Sequence, residues 1–427
     1  MLKSANDRNL AENDCLICGA TSKETRTEME KPEIIARAQS LLTVAWGEDV
    51  RLRVEQIYES VTTTVIRCRL ADANEHAPTS VAVKHVRPHP ENPFGYLHSF
   101  LNDCAACLFL NSFEHTPPLA PRFYGADTEH TILVMEDLGA GDGPDTMALL
   151  ERGDPGVTAL ALREHSALIG QLHAATIGRA DDYFEMRKDL GPLSPDRELF
   201  TYPWSNARRQ RPTSSEISHV IERYRSVREQ LGLSTNADVA EIEAVALRVE
   251  SDPGPFLAYC KGDQSLPGDV IRCDRRFRLF DYGEGGYRHA LIEGMPGRFT
   301  WGCMMRIPHR LVLDMDAAYR VELIRGCPEA ADDRVWSNAR ADAGARWHVF
   351  HVLSRIPAAL KEDYQRGPTT LRQQVTAWLD AFAELAEETN SYVALSRSAR
   401  EMSDRLRAMW RSEETSLPYY PTFLGSV

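Results

Sequence analysis

The sequence predicts an α+β chain in two lobes, a small β-rich N-lobe and a large, mostly helical C-lobe. Three observations carry this. Three runs rich in β-branched residues, 51–59, 62–70 and 80–86, follow one another with short polar stretches between them, the pattern of an antiparallel meander. Beyond Pro308 the apolar spacing is helical almost without interruption, through 312–325, 342–354, 368–388 and 392–410. A β-rich front followed by a longer helical back sorts into separate layers with a cleft between them. Residues 1–30 are polar and irregular and read as a flexible leader, 31–138 as the N-lobe and 139–427 as the C-lobe.

The elements follow in order. Residues 31–46 have helical spacing, with Pro32 suited to a first turn. After the meander, 90–93 breaks the chain with two prolines, and 97–113 is helical again. Two more strands are expected at 122–127 and 131–136. Helices are then expected at 145–152, 157–175, 216–230 and 238–249. A short strand pair surrounds Asp263 and Asp281. The aromatic end, 417–423, is expected to fold back onto the body.

The chain is 427 residues long, enough for two or three domains or lobes. Its hydrophobic and charged fractions, 43% and 26%, are those of a globular protein and exclude wholesale disorder. A net charge of −13 gives no general attraction for nucleic acid or anionic lipid, so neither is expected as a partner. The basic runs 208–211 and 275–278 read as solvated faces. The first residues lack the apolar core of a secretory signal, and no run approaches the ~20 apolar residues of a membrane span. A cytoplasmic protein is therefore expected, its nine cysteines mostly reduced. Cys15 and Cys18, and Cys104 and Cys107, form two CxxC pairs. A structural zinc site needs four ligands, and nothing joins the two pairs, so isolated thiols are the expectation.

The chemistry concentrates in a few residues. Two short apolar runs each deliver an aspartate to a turn, Asp263 and Asp281, and Asp269 lies in the loop between them. Acids at strand ends suit Mg²⁺, a hard cation that prefers oxygen ligands. Far upstream, Ser80-Val-Ala-Val-Lys84 puts a lysine on a strand. A strand lysine, a loop aspartate and a later Asp-aromatic-Gly are the parts of a phosphotransfer site. Gly139-Ala-Gly-Asp-Gly143 lacks the third glycine and the βαβ setting of a dinucleotide fingerprint, and reads as the linker between lobes.

Around these residues run Leu119-Ala-Pro-Arg-Phe-Tyr-Gly125, Thr131-Ile-Leu-Val-Met-Glu-Asp-Leu-Gly139 and Ile169-Gly-Gln-Leu-His-Ala174. In order and spacing the chain resembles the aminoglycoside phosphotransferase and choline-kinase-like branch of the protein-kinase fold over most of residues 50–310. The resemblance implies ATP and Mg²⁺. It implies that Lys84 holds the α- and β-phosphates and that Ser60 and Thr62 lie in the nucleotide loop, which here has no glycine. Backbone groups of Glu136 and Leu138 would face adenine. Asp263 would accept or orient the proton of the attacking hydroxyl, and Asp281 would hold Mg²⁺. His173 matches a hydrogen-bonded core histidine. Asp252 and Glu284 carry no assigned role, and His289 either buttresses the metal loop or borders the acceptor pocket.

Three departures stand out. The helical glutamate that partners the strand lysine is here Asp103. The residue two before the base is usually His, and here is Lys261. The second metal ligand is usually Asn five positions after the base. Position 268 is Gly, and Asp269 follows it as a replacement ligand. Lys261 then either offsets the added negative charge or neutralises the transferring phosphoryl group. The expected activity is ATP-dependent transfer of the γ-phosphate to a hydroxyl of a small molecule or of a peptide Ser or Thr. The rivals are a pseudokinase that binds a nucleotide or peptide, and an AMP transferase on the same fold.

Overall fold

A computed structural model describes residues 29–71, 78–87, 95–191, 214–235, 239–250, 252–262, 269–273 and 276–425. Asp263, nearly all of the expected leader with its Cys15 and Cys18, the break at 90–93 and the basic run 208–211 lie outside these residues. The chain divides into two compact units, Met1–Phe100 with Arg122–Asp137 and Leu101–Pro121 with Leu138–Val427.

The first unit begins with helix α1, Lys31–Trp46, and strands β1, Leu52–Glu59, β2, Thr63–Leu70, and β3, Ser80–Val86. Helix α2, Gly95–Asn111, runs across the boundary between units, and β4, Phe123–Asp127, and β5, Ile132–Glu136, return to the first. The strands form one antiparallel sheet in the order β1-β2-β3-β5-β4. Pro32 sits in the first turn of α1, where its missing N–H costs nothing, and Gly47 ends the helix in the left-handed region. Ile34, Ala38 and Leu42 recur at i, i+4 and i+8, so one stripe of α1 is buried. It meets Ile66, Cys68, Val81, Val83, Ile132 and Val134 in a core of its own. β1 lies at the edge and is exposed along almost its whole length, with a bulge at Glu55.

The second unit is helical with small strand pairs. It comprises α3, Thr146–Arg152, α4, Pro155–Thr176, α5, Ala180–Asp189, α6, Ser214–Gln230, and α7, Ala240–Val245, which continues as a π-helical turn, Ala246–Glu250. Four short strands follow: β6, Leu257–Cys260, β7, Val270–Cys273, β8, Arg276–Leu279, and β9, Gly286–His289. Then come α8, Leu291–Gly294, α9, Pro296–Phe299, α10, His309–Leu323, α11, Asp333–Arg346, α12, Ile356–Lys361, α13, Leu371–Thr389, and α14, Val393–Met409.

The expected strand pair around Asp263 and Asp281 is thus corrected. β6 pairs with β9, and β8 pairs with β7. β9 was unreadable because Arg288 and His289 look like loop residues, yet both are buried. α4 and α10 lie close together at Gly170. A Cβ there would stand 2.6 Å from the Tyr319 carbonyl oxygen and 2.9 Å from Glu322 Cβ. The aromatic end does fold back. Tyr420 and Phe423 are buried beside Leu150, Leu162 and Trp301. Cys104 and Cys107 are buried thiols on α2, in no disulfide among the described residues. Among the described residues no helix is long and apolar enough to cross a membrane.

Candidate active site

In the first unit Lys84 lies in β3, opposite Val65 of β2 and Leu133 of β5, with its side chain buried. Ser60 and Thr62 form the turn between β1 and β2. The turn closes on itself without glycine: Ser60 N–H donates to the Thr63 carbonyl at 2.8 Å, and Thr63 N–H donates to Ser60 Oγ at 3.1 Å. A serine hydroxyl accepting from a nearby backbone N–H is a local turn lock. Arg87 secures the same turn, its N–H donating to the Thr62 carbonyl at 2.6 Å and its guanidinium to the Ser60 carbonyl. Glu136 ends β5. Its backbone N–H donates to the Arg122 carbonyl at 2.8 Å, and its carboxylate accepts Arg122 N–H at 3.1 Å.

The second unit brings the acids together. The β7–β8 ladder pairs Val270 with Leu279, and one rung further Phe280 N–H donates to the Asp269 carbonyl at 3.2 Å. Asp269 and Asp281 therefore flank the open end of one hairpin. Asp281 is exposed and has φ 59°, in the left-handed region that Asp tolerates better than most residues. Its neighbours hold that conformation. Tyr282 N–H donates to Asp103 Oδ1 at 3.0 Å, and the Tyr282 hydroxyl donates to the Leu119 carbonyl at 2.5 Å. Asn102 Nδ2 donates to the Gly283 carbonyl at 3.1 Å, and Arg187 Nε donates to Asn102 Oδ1 at 2.8 Å. Asp103, expected as the partner of a lysine, thus fixes the backbone that follows Asp281. Leu138 opens the second unit's main stretch, and its carbonyl accepts the Cys273 thiol at 3.0 Å.

A second loop is anchored just before Asp263. Lys261 and Gly262 follow β6, and both of their backbone N–H groups are held by Glu293 of α8. Lys261 N–H donates to Oε2 at 2.8 Å and Gly262 N–H to Oε1 at 3.1 Å. Oε2 also accepts His173 Nε2–H at 3.0 Å. An ionised carboxylate only accepts, so Nε2 carries a proton, and His173 Nδ1 shares a hydrogen bond with the Tyr319 hydroxyl at 2.7 Å. Burial raises the Glu293 carboxyl, but the His173 hydrogen bond and the charges of His173, Arg288 and Lys261 outweigh it and hold the group below its ordinary value.

Gly262 has φ 107°, and a Cβ there would stand 2.2 Å from the Glu284 carbonyl oxygen. The segment that leads to Asp263 therefore runs against the backbone just past Asp281. Sequence reading missed Glu293, since a four-residue helix reading Leu-Ile-Glu-Gly announces nothing. His173 is the core histidine expected.

The side chain of Lys261 is 1% exposed, and Nζ donates to Asp269 Oδ2 at 2.6 Å. His289 is buried, stacks on Phe256 at 5.5 Å and accepts Leu291 N–H at 3.2 Å. Burial, with the charges of His173 and Arg346, pushes its pKa to about 3. Potential ligand atoms of His173, Cys260 and Glu293 converge within 4.8 Å, the one such group among the described residues. The three N–H donors already on Glu293 make this a hydrogen-bonded anchor. Asp269 and Asp281 are the oxygen donors that fit Mg²⁺, being carboxylates on a hairpin end with at least partial exposure.

No protein-family model and no curated protein matches the chain. Solved structures do. A choline kinase from Cryptosporidium parvum is similar at 13% identity over 89% of this chain and 97% of its own, with a TM-score of 0.44. An aminoglycoside phosphotransferase from Alicyclobacillus acidocaldarius is similar at 12% identity, over 89% and 98%, with a TM-score of 0.40. An amicoumacin kinase in complex with AMP-PNP and Ca²⁺ is similar at 12% identity, over 91% and 99%, also at 0.40.

Proposed function

We propose that this chain is an ATP-dependent phosphotransferase that moves the γ-phosphate to a hydroxyl of a small molecule. The observation that carries the reading is the convergence in the second unit. Asp269 and Asp281 flank one hairpin end, and the segment entering Asp263 is locked against the backbone beyond Asp281. A phosphotransfer site needs this: metal-binding acids and a hydroxyl-orienting acid held on rigid backbone, since catalysis there is positioning plus electrostatics.

Asp281 and Asp269 would hold Mg²⁺, which would supply positive charge to the phosphates. Lys84 would contact the α- and β-phosphates, and Ser60 and Thr62 would lie beside them. Backbone groups of Glu136 and Leu138 would meet adenine. Asp263 would orient the acceptor hydroxyl and take its proton. Asp103 would act by holding the turn after Asp281. A peptide Ser or Thr would serve as acceptor by the same chemistry.

The test is calorimetric ATP binding with and without Mg²⁺, on wild type and Asp281→Ala, followed by a screen of hydroxyl acceptors. Mg²⁺-dependent binding that Asp281→Ala abolishes is expected. Binding indifferent to both metal and mutation would overturn the reading.

A further inference from the structure

Two carboxylates at one divalent cation repel each other, and the second brings an extra negative charge close to a triphosphate. The charge beside Asp269 is therefore as important as its position. Lys261 supplies it from inside the protein. Its side chain is buried to 1% exposure, while that of Asp269 remains 31% exposed. An ammonium so deep keeps its charge only with a close anionic partner, and Nζ lies 2.6 Å from Asp269 Oδ2.

A neutral imidazole lies within the electrostatic reach of Lys261. His165 of α4 is 3% exposed, meets Trp301 edge-on at 4.7 Å, and among the described residues has no hydrogen-bond partner at either ring nitrogen. Burial first, and then the charge of Lys261, hold that imidazole uncharged. The backbone of Lys261 is itself fixed, its N–H on Glu293. The ammonium thus rests on a rigid base and reaches Asp269.

We propose that Lys261 and Asp269 work as one unit, a buried ammonium that fixes Asp269 beside Asp281 and offsets one of the two carboxylate charges proposed to hold the metal. Lys261 is a positioning residue here, acting through Asp269. The inference rests on the phosphotransferase reading and adds to it the reason an acid is tolerated at position 269.

The experiment is a double-mutant cycle on the full chain with Lys261→Met, Asp269→Asn and the pair combined, read in two ways. The first readout is thermal unfolding without nucleotide or metal. Asp269→Asn takes a charged partner from a buried ammonium and should lower Tm by several degrees, whereas the double variant should regain most of that loss. Should Asp269→Asn fail to fold alone, folding of the double variant is itself the rescue. The second readout is the Mg²⁺ concentration that half-saturates ATP binding. It should rise about tenfold in Asp269→Asn, fall in Lys261→Met, and return close to wild type in the double variant. Additive effects on Tm, or an Mg²⁺ requirement that Lys261→Met leaves unmoved, would overturn the inference while leaving ATP·Mg binding by wild type intact. Wild type that binds no ATP·Mg, but keeps the Tm coupling, would instead overturn the phosphotransferase reading, and the metal role of the pair with it.

Discussion

Replacing Glu293 by Gln changes one oxygen to an amide and removes one charge, and the structure sets what that costs. The carboxylate accepts three N–H groups, from Lys261, Gly262 and His173, and the residue is 1% exposed. A glutamine oxygen placed at the Oε2 position keeps two of them. Its NH₂ then faces the Gly262 N–H, donor against donor. One charge-assisted hydrogen bond worth about 1.5–3 kcal/mol is lost, and a buried N–H is left unsatisfied at about 1–3 kcal/mol. A destabilisation of about 3–5 kcal/mol is expected, measured by urea unfolding followed by circular dichroism. The loop that enters Asp263 loosens, so turnover should fall more than ATP affinity. The acid limb of wild-type stability gives a second readout. Because the folded carboxyl titrates below its ordinary value of 4.5, its stabilising share is complete above that pH and is lost as pH falls through the lower folded value. Glu293→Gln lacks this segment of the pH profile. A variant within 1 kcal/mol of wild type, with unchanged turnover and the same acid limb, would refute the reasoning.

Gly262→Ala puts a Cβ 2.2 Å from the Glu284 carbonyl oxygen at a φ of 107°, so it should lower stability by roughly 2–4 kcal/mol and slow turnover; a neutral result by thermal melting would remove the close approach from the argument. Lys84→Ala should weaken ATP binding, and unchanged affinity in calorimetry would undo the role given to that strand. Asp263→Asn should spare nucleotide binding yet slow turnover by at least ~10²-fold, and a fully active variant would take Asp263 out of the base role. His165, His289 and His348 are buried, and burial pushes each to about 3 from 6.5. Below pH 6.5 the unfolded chain binds protons that the folded one refuses, so stability should fall with pH at up to about 4 kcal/mol per unit for three such groups. Denaturant midpoints at pH 7, 6 and 5 check this, and a flat profile would contradict it.

What could be read beforehand follows from what the residues do locally. The meander was legible because β-branched runs separated by short polar stretches leave few other options, and α1 because its buried stripe repeats every four residues. Asp281 and Asp269 stood out because acids next to short apolar runs are unusual. Tertiary context hid the rest. β9 and its buried Arg288 and His289 become a strand only through pairing with β6. α5, whose ten residues include six charged ones, has no apolar stripe to announce it. Glu293 and His165 are single letters whose meaning depends on partners more than a hundred residues away or on burial alone. The bond from Tyr282 N–H to Asp103 was hidden too, because a main-chain donor leaves no mark in a sequence.

The anchor on Glu293 has a consequence for how the protein is made. The segment entering Asp263 is held by an acceptor thirty residues downstream, which is oriented by a histidine on α4 and, through it, by a tyrosine on α10. As the chain leaves the ribosome, α4 and β6 emerge well before Glu293 and Tyr319. A nascent chain stalled before α8 would have the acids proposed to hold Mg²⁺ without the brace that fixes the neighbouring loop. The site would become ordered late in synthesis, when α10 has cleared the exit tunnel and can lie along α4.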